Sequence, residues 1–201
     1  MTKPLTYCLF FIGGLLLQAQ QFGVVSGSIE NILGIQRYNL VFEYPSDLQI
    51  SKSDSEQAVL QEQYVKREEK ETGSGEKFKK LWFENRSNLY EPSFIQQFNS
   101  FRVADRQVTV AKKISSTGYT MKIKTVSITG GYDDFFYVEE GGIGVIISVY
   151  ETDSPDTVLY AVETNVRGIA NSDEFERIRT SYGNLGEATS KHFSRKALLK
   201  N

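Results

Sequence analysis

Hydrophobic and polar residues alternate from Tyr38 to Tyr44. Tyr38, Leu40, Phe42 and Tyr44 fall on one side of an extended chain, with Asn39, Val41 and Glu43 on the other. A period of two over this length predicts a strand with one buried face, and Pro45 ends it because proline lacks the amide that a sheet ladder needs. The period then lengthens. Ser53, Asp54 and Ser55 followed by Glu56 form a capping signature ahead of Val59, Leu60, Tyr64 and Val65, which predicts a helix ending near Glu71. Thr72, Gly73, Ser74 and Gly75 interrupt it. Phe78, Leu81, Trp82 and Leu89 begin a second helical pattern, which resumes after Glu91 and Pro92 with Phe94, Ile95, Phe98 and Phe101. At helical spacing these aromatics read as core against a sheet rather than as a ligand cage.

Past a short strand expected around Val108 and Val110, the pattern turns to β. Tyr119, Met121 and Ile123 alternate with lysines and then slip into Val126 and Ile128, a slip that predicts a bulge. Ile143 to Tyr150 is nearly continuous in Ile and Val, the pattern of a strand covered on both faces. Its core face is expected at Ile143, Val145, Ile147 and Val149, with Ile146 and Tyr150 opposite. Thr152 to Asp156 carries the turn chemistry of a hairpin whose second strand runs from Val158 to Val166. Ser172 and Asp173 then cap an amphipathic helix through Phe175, Ile178, Tyr182, Leu185, Phe193 and Leu198. Strands and helices grouped rather than alternating predict an α+β fold: a mixed, mainly antiparallel sheet of about four to five strands, a charged helix pair after the first strand, and an amphipathic C-terminal helix.

The N-terminus has a different grammar. Lys3 precedes an apolar run from Leu5 to Leu17 and then Gln18, Ala19 and Gln20. A positive residue, an apolar stretch of about 7 to 15 residues and a small residue at the cut describe a secretory signal peptide. The run is short for a transmembrane span of roughly 20 residues, and Cys8 lies at its start rather than its end, which argues against a lipid-modified cysteine. The expected organisation is a signal peptide over 1–19, a flexible lead-in over 20–37 and a single α+β domain over 38–201, with no membrane span once the signal is cleaved. Cleavage after Ala19 removes the only Cys, so the exported chain has no disulfides and relies on a packed core.

Composition narrows the chemistry. The 201 residues carry 23 Lys and Arg against 25 Asp and Glu, a formal charge of −2, so no basic excess points to nucleic acid. The basic residues from Lys66 to Lys80 are interleaved with Glu68, Glu69, Glu71 and Glu76, the pattern of a solvated helical face. His192 is the only histidine, and the chain has neither a Gly-x-Ser-x-Gly elbow nor a phosphate-binding glycine loop. No cofactor is expected, and a non-enzyme is the leading expectation.

The signal peptide, Tyr-rich first strand, charged helix leading to Trp82, Phe94, Phe98 and Asn99, the Tyr119 to Ile128 strand and the Ile143 to Val166 hairpin before a terminal helix resemble exported proteins of Gram-negative bacteria. The layout is similar to the small α+β modules of periplasmic and outer-membrane-associated proteins, including the amino-terminal domain of the Tol-system propeller protein. The resemblance implies a periplasmic or outer-membrane-associated interaction or assembly module whose partner is another envelope protein. It carries no catalytic residue across and leaves the oligomeric state open.

The most distinctive local stretch runs from Gly130 to Gly142. Its aromatics Tyr132, Phe135 and Phe136 are the candidate partner contacts, since aromatic residues are enriched where partners bury one another. Asp133, Asp134, Glu139 and Glu140 raise two competing chemistries. One is a calcium site, although the spacing is not that of an EF-hand loop. The other is a secreted hydrolase or carbohydrate-binding protein using the acidic aromatic loop 130–142.

Overall fold

In the computed structural model, residues 21–50, 54–102, 107–114, 116–131, 133–134, 137–138 and 140–198 are described. Expectations that fall on residues 1–20, the signal peptide among them, lie outside the described residues. The elements in chain order are β1 (Gly23–Gly27), a 3-10 turn (Ile29–Ile32), β2 (Arg37–Glu43), β3 (Gln49–Ile50), β4 (Asp54–Ser55), α1 (Glu56–Lys70), α2 (Ser74–Asn85), a π-helical turn (Arg86–Tyr90), α3 (Glu91–Ser100), β5 (Thr109–Ala111), β6 (Tyr119–Thr129), β7 (Asp133–Asp134), β8 (Tyr137–Val138), β9 (Gly142–Glu151), β10 (Val158–Arg167) and α4 (Glu174–Leu198).

The class is α+β, but the expected sheet of four to five strands is corrected. Eight strands form one mixed sheet, ordered β1-β10-β9-β6-β2-β5, with β3 pairing both β6 and β4; β7 and β8 form a separate ribbon. The extra strands escaped the sequence because β3 and β4 have two residues each, too few to show a period, and β1 lies in the stretch read as a lead-in. The helices differ too. They follow four strands rather than one, and α2 passes through the π turn directly into α3, giving three helical rods.

Pro45 does interrupt the first long strand, and the chain then rejoins the same neighbour: β2 runs parallel to β6 from Asn39↔Thr120 to Glu43↔Lys124, and β3 continues at Gln49↔Ser127. The slip expected in β6 is a bulge, with Thr125 opposite Val145 and Ser127 opposite Gly144, leaving Val126 over. All helices cover one face of the sheet. Met121, Ile123, Ile147, Val149 and Val162 from that face meet Phe94, Phe98, Ile178, Tyr182 and Leu185 from the helices, all of them fully buried. On the other face Lys122, Lys124, Ile146, Ser148 and Tyr150 are only half-buried. β9 is therefore covered on one face rather than two; its apolar run reflects a central position, where flanking strands shield Ile146 without helices above it.

The helix starts follow local chemistry. Ser55 Oγ accepts the Ala58 amide at 3.3 Å, and Asp173 Oδ1 accepts the Phe175 amide at 2.8 Å. α2 begins after Gly73, whose φ of 85° suits glycine, and its first amides are taken by a carboxylate from the preceding helix: Glu68 accepts from Gly73 at 2.7 Å and Gly75 at 3.0 Å.

Candidate functional site

The stretch from Gly130 to Gly142 joins β6 to β9, and its middle forms the β7–β8 ribbon, with Asp133 opposite Val138 and Asp134 opposite Tyr137. Tyr132, Phe135 and Phe136, the candidate contacts, lie outside the described residues, as do Glu139 and the side chains of Asp133 and Asp134; Glu140 is exposed. Among the described residues no group of three or more His, Cys, Asp or Glu gathers in a way that would hold a metal ion.

What the sequence did not single out is the base of this ribbon. Arg177, from the second turn of α4, is 4% exposed and donates from Nε to the Gly130 carbonyl at 2.6 Å, while its Nη1 donates to the Asn171 carbonyl. The Gly168 amide donates to the Gly141 carbonyl at 2.9 Å. A Cβ on Gly141 would lie 2.8 Å from Arg177 Cβ, so only glycine lets the loop return this close to α4. Gly131 adds a φ of 73°, a left-handed turn. The guanidinium thus ties the Gly130 side of the ribbon's root to the Asn171 turn ahead of α4, while the Gly168 amide holds the Gly141 side. The paired glycines were the visible signal; the arginine gave none, because it looks like one more charged residue in a helix.

Glu174 stands beside it and accepts from Arg67 Nη2 at 2.7 Å. Burial raises its carboxyl above the usual range, against the pull of Arg67 and Arg177. A paired-carboxylate mechanism needs a second acid at a defined separation; Glu174 is instead bound to Arg67, a geometry that fixes α1 to the start of α4.

A second polar cluster lies between β2, the π turn and α4. Tyr182, fully buried, shares a hydrogen bond of 2.7 Å with Thr125, and its ring stacks on Tyr90 at 5.4 Å. Arg86 lies 4.4 Å over the Tyr44 ring and pairs with Glu56, which also accepts Trp82 Nε1 at 2.6 Å. Burial pushes the Tyr182 phenol up to about 12 and raises those of Tyr44 and Tyr90 as well. Proton transfer at neutral pH favours groups that titrate near it, and these phenols stay protonated there.

His192 is not the exposed helical residue its sequence position implies. Nε2 lies 2.8 Å from the Tyr160 hydroxyl, and the ring stacks on Phe22 at 4.4 Å, joining α4 to the chain entering β1. On the helix-free face, the break between β2 and β3 leaves a half-open cleft of about 240 Å³ lined by Pro45, Asp47, Gln49, Lys124, Val126 and Ser127. Lys124 there faces Glu43 at 3.8 Å. No helix among the described residues is long and apolar enough to cross a membrane.

No family model and no curated protein matches the chain. Two solved structures are similar over much of their length: the PelC dodecamer from Paraburkholderia phytofirmans and a point variant of it, each 8% identical, covering 85% of this chain and 97% of that one, at TM-scores of 0.38 and 0.40. At these scores the likeness carries no argument about function.

Proposed function

We propose that the chain is an exported, non-catalytic interaction or assembly module of the bacterial cell envelope, periplasmic or outer-membrane-associated, and that it meets another envelope protein through the segment 130–142. The observation that carries this reading is at the two ends of the segment: buried Arg177 bonds Gly130 at one end, and Gly141 at the other has no room for a side chain beside α4. Fixed ends reduce the chain entropy that a partner must remove on binding. The signal-like N-terminus and the resemblance of the sequence layout to envelope modules supply the location and the class of partner.

The test is crosslinking and capture from the native host's envelope with the wild type and a variant carrying Tyr132→Ser, Phe135→Ser and Phe136→Ser. Truncating aromatic anchors commonly removes about 2 kcal/mol or more of binding free energy, so the reading expects capture to fall at least about tenfold while circular dichroism is unchanged. Equal capture by both removes the segment from the function.

A further inference from the structure

The sheet ends differently on its two sides. β5 closes one side, and only its middle residue turns backbone groups outward, because Thr109 bonds inward to the Gln36 carbonyl and neighbouring strand residues point alternately. That residue, Val110, is already satisfied: Asn99 Nδ2 donates to its carbonyl at 2.9 Å, and Asn99 Oδ1 accepts its amide at 2.9 Å. A side-chain amide thus takes the place of the next strand.

Among the described residues β1, on the other side, has no such cover: it pairs there with β10 alone, all five of its residues are exposed, and Val24 and Val25 are 65% and 52% exposed. Edge strands of soluble proteins usually carry lysine or proline that discourages pairing; Gly-Val-Val-Ser-Gly carries neither, and no charge of any kind.

We infer that β1 is a self-association edge: two copies of this chain pair β1 against β1, antiparallel about a two-fold axis, to make one continuous sheet across a dimer. An unpaired strand edge specifies an extended backbone as its occupant, and an uncharged segment is self-complementary because a two-fold contact sets no like charges opposite each other. Glu163 of β10 reaches over Gly23 at the start of β1. Antiparallel pairing sets Gly23 of one copy toward Gly27 of the other, so the two Glu163 carboxylates lie at opposite ends of the contact. Because a two-fold contact uses the same edge of both copies, pairing consumes β1 of each and the assembly closes at two instead of growing. The bulge between Val24 and Ser26 confines pairing to a short segment. So short a contact falls below the roughly 1,200 Å² of stable interfaces, which makes the dimer weak and concentration-dependent.

This inference is independent of the proposed role of segment 130–142. Sedimentation velocity on the purified protein, from micromolar to millimolar concentration, tests it. The expected result is a mass that doubles toward the upper end, with Val24→Lys and Val25→Lys each holding the chain monomeric and Val65→Lys, on the exposed face of α1, leaving the doubling unchanged. Both β1 positions are exposed, so neither lysine disturbs the core; circular dichroism confirms the fold of each variant. A monomer throughout the range assigns the edge to a different chain and overturns the inference, as does a dimer that both β1 lysines leave intact.

Discussion

Glu68 illustrates how much a single side chain does here. Its carboxylate accepts the amides of Gly73, Gly75 and Glu76, the donors that a helix leaves unpaired at its start. Those bonds, the one from Gly73 foremost, hold its carboxyl below the ordinary carboxylate range. The folded state therefore binds fewer protons than the unfolded state in the acid range, and the contribution of Glu68 is present above 4.5 and is lost as pH falls through the depressed folded value. Glu68→Gln is expected to lower Tm at pH 7, with the gap to wild type closing as the pH drops below the ordinary carboxylate range; thermal melts across that range check it. Caps of the usual reach, Ser55 and Asp173, were legible because the acceptor lies two or three residues from its amide. Glu68 and Arg177 were not: their partners come within reach only after the Thr72–Gly73 turn and the 130–142 loop have folded back.

Among the elements, long periodic ones were legible and pair-defined ones were not. The bulge at Val126, the core face of β9 and the start of α4 follow from spacing within one segment, whereas β3 and β4 exist only because β6 and each other are beside them. The α3–α4 contact shows the same dependence on a neighbour. Gly186 reads in sequence as either a weak point of the helix or a close-packed one, and the neighbour decides: a Cβ there would lie 2.3 Å from the Phe94 carbonyl oxygen and 3.0 Å from the Phe98 amide nitrogen. Helix propensity alone favours Gly186→Ala by about 1 kcal/mol. Backbone atoms cannot swing aside, so the helices must separate, at an overpacking cost of about 1–3 kcal/mol or more. The expected net effect is a lower Tm. Gly183→Ala is expected to be milder, since its Cβ would meet the Ser93 hydroxyl at 3.0 Å and the Gln97 side chain at 3.4 Å, both able to rotate. Thermal denaturation of the two variants side by side checks the contrast.

For the molecule as a whole, the α+β class could be read ahead, but the number of strands before the helices and the strand neighbours could not. Nothing in the alternation of β2 tells that it lies parallel to β6, with two helical rods between them in sequence, nor that the sheet's outermost strand comes from the first described residues. The pairing of β1 with β10, at Gly23↔Glu163 and Gly27↔Tyr160, has a kinetic consequence. Its two strands are almost as far apart in sequence as the fold allows, and such closures are slow because loop entropy is lost before any contact repays it. The β6–β9–β10 meander, joined by local turns, is able to assemble first; β1 must wait until β10 has emerged and been seated. Pulse-labelled hydrogen exchange during refolding is expected to protect amides of β9 before those of β1. Until that last strand docks, the edge of β10 stands open, so the interval between meander and closure is when a newly made or refolding chain is most exposed to pairing with the wrong strand.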